Sequence, residues 1–267
     1  MFGRRNENIL IIKTDGLMAF VEAEPVFDAI RKAHPGARIS LLTSNGLQRV
    51  ARAAPYFDQV AAMPNFRDAE SRKAFVRQLK TSKFARIYDL SADDDARRLH
   101  AAMGPFRPKW LAAGPAPKRR KNAPPGPALP DLETLVAAAE LEAPARLPNF
   151  SWALSARKDS ANMQPSWFGI AGAFGLLLPG PDPERRWPAA NYAHIVPVLA
   201  GGKELHSFGD EIAHVAPEIV DLSGKTDHLQ LAALAQEAAF FVSDHADEAH
   251  LALSVGCRGV MIAKAGQ

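Results

Sequence analysis

Short apolar runs separated by segments of helical periodicity constrain this chain more than any other feature. In the first half the runs are ILII at 9–12, ISLLT at 39–43, VAAM at 60–63 and ARIYDL at 85–90. Runs of this length bounded by turn signals suit strands buried on both faces. Between the first two, Phe20, Ala23, Phe27 and Ile30 recur at steps of three and four and share one helical face, and His34, Pro35 and Gly36 then stop the helix. Strand, crossover helix and strand imply parallel pairing with right-handed crossovers. The second half restarts the alternation with FGLLLPG at 174–180, a helix from about Ala189, a short strand near 203–207 and EIVDL at 218–222. A helix from His228, AFFVSD at 239–244, a helical stretch to Val255 and GVMIA at 259–263 complete it. The expected fold class is α/β, with two Rossmann-like domains, 1–150 and 151–267, facing a cleft where strand carboxyl ends converge on a ligand.

Residues 104–130 interrupt the rhythm. Prolines at 105, 108, 115, 117, 124, 125, 127 and 130 exclude a helix or a central strand, so this stretch reads as a loop. It holds Lys109, Lys118, Arg119, Arg120 and Lys121, a basic cluster that suits phosphates or an anionic membrane surface, or is simply a solvated loop. Asp131 is a good N-cap for an apolar helix running to about Leu141. The 267 residues leave room for two modest domains, and 47% hydrophobic with 23% charged residues is ordinary for a soluble globular protein. A single cysteine, Cys257, cannot form an internal bridge, and MFGRRNENILIIK lacks the apolar core of a secretory signal, so a cytoplasmic protein is expected. The longest apolar stretch, Phe168 to Leu178, falls short of the roughly 20 residues of a membrane span. A net charge of +3 suits an anionic small molecule or lipid surface. Nucleic acid is not expected, because the basic loop lacks interleaved aromatics for stacking.

Several segments in order resemble the heptosyltransferase family of bacterial glycosyltransferases, glycosyltransferase family 9. ILIIKTDGLMAFVEAEPVFDAIRKAHPGARISLLTS resembles the family's first strand, glycine-bearing loop, proline-containing helix and second strand, and LKTSKFARIYDL resembles its fourth strand. LLLPGPDPERRWPAANYAHI resembles its Pro-Gly loop followed by a basic pair with Trp-Pro, DLSGKTDHLQLAALAQEAAFFVSD its Gly-Lys-Thr strand exit, and DHADEAHLALSVG its Asp-(Ser/Thr)-Gly loop with His-Leu-Ala. The resemblance spans nearly the whole chain and implies the B-type glycosyltransferase architecture. It also implies transfer of a heptose-like sugar from an ADP-sugar donor, bound mainly by the second domain, to a lipopolysaccharide-type saccharide on the first. The partners implied are the nucleotide-sugar donor and an anionic saccharide or lipid-linked acceptor, with peripheral contact at the inner membrane through 118–121. No cofactor or metal is implied, so cations and helix N-termini neutralise the leaving diphosphate. The matching donor-side residues are Lys13, Arg185, Arg186, Trp187, Lys225, Asp244 and His250. The family usually has Lys-Arg where this chain has Arg185 and Arg186, which exchanges a compact ammonium for a planar fork.

Three departures mark a divergent and shortened member. The family's first loop carries an aspartate taken as the base for the acceptor hydroxyl, and the ungapped match puts Met18 and Ala19 there. Alanine accepts no proton, which leaves Asp15, four residues earlier, as the replacement base or as a turn residue of its Asp-Gly pair. Glu22 and Glu24 read as first-turn carboxylates that favour the helix dipole. The loop from Asp244 to His250 is one residue longer than the family's and lacks its glycine, and Asp247 and Glu248 would repel a diphosphate. Asp244, His245, Asp247 and His250 also have the chemistry of metal ligands, but neighbours at one helix start rarely converge, so no metal is expected. Finally, the sequence stops at Gln267, short of the family's returning helix, which loosens the expected tie between domains. The alternative to an active transferase is a catalytically inactive relative acting as a binding or partner module.

Overall fold

Ile9, Ile11 and Ile12 have no solvent exposure, and Leu10 has almost none. A strand so apolar on both faces can only be central, and β1 (Asn8–Lys13) is the middle strand of a five-stranded parallel sheet. The computed structural model describes residues 7–64, 69–91, 93–114, 131–142, 146–155, 160–180, 182–192, 197–244 and 246–262. They divide into two compact units, 1–148 and 149–267.

In the first unit β1 is followed by α1 (Leu17–Glu22), α2 (Glu24–Ala33), β2 (Arg38–Thr43), α3 (Gln48–Ala53) and β3 (Gln59–Ala62). Then come α4 (Ala69–Thr81), β4 (Arg86–Asp89), α5 (Asp94–Met103), β5 (Lys109–Ala112) and α6 (Leu132–Ala138). The strand order is β3-β2-β1-β4-β5, with Lys13 opposite Thr43 and Ile12 opposite Asp89 in register. The segment read as one crossover helix from Phe20 is two helices that meet at Ala23, with Pro25 in the first turn of the second. Their shared apolar face packs Phe20 against Phe27 at 5.2 Å between rings. The 104–130 segment is not a loop throughout, because Lys109–Ala112 pairs with β4 as strand β5. The prolines are compatible with it: the strand lies at the sheet edge, and Pro108 precedes its first residue. Residues 115–130, with the basic 118–121 cluster, lie outside the described residues.

The second unit contains α7 (Trp152–Ser155), β6 (Gly175–Leu178), β7 (Pro197–Gly201), α8 (His206–Val215), β8 (Val220–Ser223), α9 (His228–Glu237), β9 (Phe240–Ser243), α10 (Asp247–Ser254) and β10 (Gly259–Met261). Its parallel sheet has the order β10-β9-β6-β7-β8. The strand expected near 203–207 lies instead at Pro197–Gly201. Lys203–Leu205 is a 3-10 turn leading into α8, since Lys203, Glu204 and His206 lack the apolar side chains of a central strand. Proline is tolerated as the first residue of β7. The helix expected from Ala189 is a 3-10 turn over Ala189–Tyr192.

One ion pair, with a buried carboxylate and an exposed arginine, fastens the end of the first unit to its second helix. The Glu24 carboxylate has almost no exposure and receives two hydrogen bonds from Arg146, at 2.6 and 2.8 Å, and one from the Tyr56 hydroxyl. Arg146 also reaches Asp28 at 3.4 Å. Burial and the neighbouring carboxylate push the Tyr56 phenol up, so it stays a donor. Glu24 is therefore an anchor and not merely a first-turn carboxylate. Replacing Arg146 with Met strands a buried negative charge and should cost roughly 2–4 kcal/mol in urea unfolding, while Glu24→Gln with Arg146→Met together should recover part of the loss. A change under about 0.5 kcal/mol for Arg146→Met, the scale of an exposed pair, would contradict this.

Candidate functional site

Parallel strands send all their exits to one edge, so β1 and β4, adjacent at the centre of the first sheet, deliver their following loops side by side. Lys13 ends β1 with no exposed side-chain surface, and its Nζ donates to the Leu90 carbonyl at 3.1 Å and to Asp15 Oδ2 at 3.2 Å. Burial pulls this ammonium below the usual lysine value, and Asp15 leads the carboxylates, with Asp89 and Asp93, that draw it back up. The Thr14 N–H donates to Ser91 Oγ at 2.7 Å, and the Thr14 hydroxyl donates to Asp93. Asp93 in turn caps α5 by accepting the Ala96 N–H at 2.7 Å. Asp15 is one-fifth exposed, and its second oxygen, Oδ1, is enclosed without a hydrogen-bond partner among the described residues. Thr43 Oγ1, at the end of the neighbouring β2, is in the same condition. Enclosed polar atoms without partners cost about 1–3 kcal/mol each, which a water or a ligand hydroxyl would relieve. Ala19 lies inside the packing of α1 at 6% exposure, so that position offers no proton acceptor.

The second unit builds its edge around a carboxylate. Asp244 follows β9 and is 3% exposed; Oδ1 accepts the Gly180 N–H and Oδ2 accepts the Trp187 N–H at 2.9 Å. A Cβ at position 180 would sit 2.8 Å from the Asp244 carbonyl oxygen, so glycine is needed for this approach. Burial pushes the Asp244 carboxyl up, opposed by those two N–H donors and by Arg186. Arg186 Nε donates to the Gly180 carbonyl at 2.9 Å and its guanidinium lies over the Phe208 ring, 5.2 Å from the centroid. Trp187 meets Tyr192 edge-on at 5.1 Å. Lys225 is exposed at the exit of β8 and holds the Asp221 carbonyl at 2.6 Å. His250 is half-buried on α10. At the start of α10, burial pushes the Glu248 carboxyl up, and the charges of Asp247 and Glu204 add to the shift.

The sequence-derived residues thus fall into two groups, Lys13 with Asp15 in one unit and Arg186, Trp187 and Asp244 in the other. The side chain of Arg185 and the residue His245 lie outside the described set. Lys13 has no exposed side-chain surface, and both oxygens of Asp244 accept backbone N–H groups, so each is engaged by its own fold in this structure. Thr14, Ser91 and Asp93 were not anticipated, although the polar run after ARIYDL carried the signal; Glu204 had none, because its neighbour Glu248 is 44 positions away. Among the described residues no group of three or more His, Cys, Asp and Glu forms a metal-ligand set, and no helix is long and apolar enough to cross a membrane.

No family model and no curated protein matches the sequence. The fold does match solved structures. A glycosyl transferase of family 9 from Veillonella parvula aligns over 96% of this chain and 80% of its own, at 16% identity and a TM-score of 0.70. The E. coli ADP-heptose lipopolysaccharide heptosyltransferase II aligns over 95% and 84% respectively, at 15% identity and a TM-score of 0.71. An E. coli heptosyltransferase solved with ADP aligns over 95% and 86%, at 15% identity and a TM-score of 0.68. The chain therefore carries the two-sheet α/β fold of the heptosyltransferases and resembles that family along nearly its whole length.

Asp244→Asn would turn an N–H donor toward the Trp187 or Gly180 N–H and should lower unfolding free energy by about 2–3 kcal/mol; stability within about 0.5 kcal/mol of wild type would remove Asp244 as the anchor of this edge. Glu248 has a raised carboxyl, so its ionised form is penalised in the folded state. Glu248→Gln should accordingly stabilise the protein at pH 7–8, with the gain vanishing as pH falls below the unfolded value of about 4.3. A gain that persists at pH 3 would show that charge is not its cause.

Proposed function

We propose that this protein is a metal-independent glycosyltransferase of the heptosyltransferase type, transferring a heptose-like sugar from an ADP-sugar to a hydroxyl of a lipopolysaccharide-type saccharide. The observation that carries the reading is the state of Asp15. Of the carboxylates between 13 and 24, Glu24 is bound up with Arg146 and Tyr56, whereas Asp15 is held at one oxygen by Lys13 and keeps Oδ1 without a partner among the described residues. In this reading the Asp15 carboxylate, whose side chain is one-fifth exposed, takes the acceptor proton as the acceptor oxygen bonds to the anomeric carbon and ADP departs. In this reading the first unit holds the acceptor. In the second, Arg186, fixed by Gly180 and Phe208, would face the donor diphosphate, with Lys225 and Trp187 as further donor-side residues and Arg185 the sequence's other candidate cation. The protein would work in the cytoplasm at the inner membrane, with 118–121 as a basic contact. A second reading, an inactive binding module, is favoured by Ala19 inside α1 and by Asp247 and Glu248 at the start of α10.

Thermal unfolding with ADP, UDP, GDP and ADP-heptose separates the readings. ADP and ADP-heptose should each stabilise the protein by about 2.7 kcal/mol at 100 times their Kd, with UDP and GDP weaker. Asp15→Asn should keep that shift and lose at least about a hundredfold in transfer to a heptose-deficient lipopolysaccharide core. Undiminished transfer by Asp15→Asn would remove it as the base. ADP-heptose binding without transfer by the wild type would favour the binding module.

A further inference from the structure

The first sheet has a second edge, where its strands begin, and the chain crosses it before β4 and before β5. There the turn from 82 to 85 and the turn Gly104–Pro108 enclose a groove of about 530 Å³. Leu79 and Phe84 form part of its floor, and Lys80, Lys83 and Arg107 stand exposed along it. Phe106, at the tip of the second turn, is 99% exposed, and Pro105 and Pro108 stiffen its backbone. No carboxylate lines this groove among the described residues. The same helix extends the charge: Lys73, Arg77 and Lys80 follow one another at steps of four and three along one face of α4, and Glu70, the carboxylate nearby, pairs with Lys73 at 2.8 Å.

We propose that this edge of the first unit docks on an anionic lipid surface, with Phe106 inserted among the acyl chains and Lys80, Lys83 and Arg107 at the level of the phosphates. A fully exposed aromatic ring on a stiff turn, ringed by cations on flexible stems, matches a boundary that is apolar inside and negative at its rim. A fixed soluble anion would call for converging donors, whereas the cations here are spread over a helix and two turns, Lys80 on α4, Lys83 on the first turn and Arg107 on the second, with Arg107 Nη1 already donating to the Gly104 carbonyl at 3.1 Å. The surface is separate from the proposed acceptor site: Asp15 follows the carboxyl end of β1, whereas the groove lies at the amino ends of β4 and β5, about 13 Å away along a four-residue strand. Its residues are not those of the basic 118–121 cluster in the sequence, and it does not rest on the glycosyltransferase reading.

Flotation with vesicles of phosphatidylcholine alone, and of phosphatidylcholine with one-third phosphatidylglycerol, tests this on the full chain. The wild type should float with the anionic vesicles only and be released by salt. Phe106→Ser should weaken partitioning about tenfold and the K80Q/K83Q/R107Q variant on the order of a hundredfold, at about fivefold per cation. Both variants should melt at the wild-type temperature and keep the wild-type response to ADP. Wild-type flotation by the triple variant would overturn the assignment and move the contact elsewhere, to 118–121 first. Failure of the wild type to float would also overturn it, and saturable binding of inorganic phosphate or an acidic peptide in that case would make the groove a soluble-anion or protein site.

Discussion

An ammonium group with no access to water sits at the centre of the first sheet's carboxyl edge, and the loops around it are arranged to keep it there. Transferring a lysine charge out of water is costly unless acceptors surround it. Lys13 finds one in the Leu90 carbonyl, delivered by the exit of β4, and another in Asp15, two residues along its own chain. That requirement ties the β1 and β4 exits together. The tie continues through Thr14, Ser91 and Asp93 to the first turn of α5. Asp15 is therefore placed by the need to neutralise Lys13, and the oxygen that Lys13 does not use is enclosed without a hydrogen-bond partner among the described residues.

The second unit solves the same problem with the sign reversed. Asp244 is a buried carboxylate, and the donors that satisfy it are the backbone N–H groups of Gly180 and Trp187. One side chain thereby fixes the exit of β6, the Trp-Pro turn and the exit of β9 in one place. The Gly180 carbonyl then holds Arg186, and Phe208 supports its other face. Each unit thus has a buried charge that organises the loops, and a partly exposed group of opposite sign beside it: the Asp15 carboxylate in one and the Arg186 guanidinium in the other. Under the proposed function, these would be the proton acceptor and the cation facing the diphosphate.

The alternation of strands and helices was legible because central parallel strands are apolar on both faces, as Ile9, Ile11, Leu176 and Leu177 are. Two strands were not. β5 lies among prolines, and β7 begins with one and ends in glycine, so local propensity argued against strands that pairing with β4 and β6 stabilises. In the site, residue types were readable and roles were not. Lys13 and Asp244 carry charges that a sequence assigns to a ligand, and only burial shows that each is engaged by its own fold. Glu24 read as a helix-start carboxylate because its partner, Arg146, is 122 positions away. At position 19 the sequence already shows an alanine, which accepts no proton, and the structure adds that it is buried in α1.

The organising role of Lys13 is open to direct observation by following its side-chain Cε and Hε signals by NMR across pH, with the resonance assigned through Lys13→Met. The resonance should show a charged ammonium at pH 7, lose its proton at lower pH than the exposed lysines, and do so at lower pH still in Asp15→Asn. A neutral amine at pH 7, or a titration unchanged by Asp15→Asn, would contradict a buried charge held by Asp15.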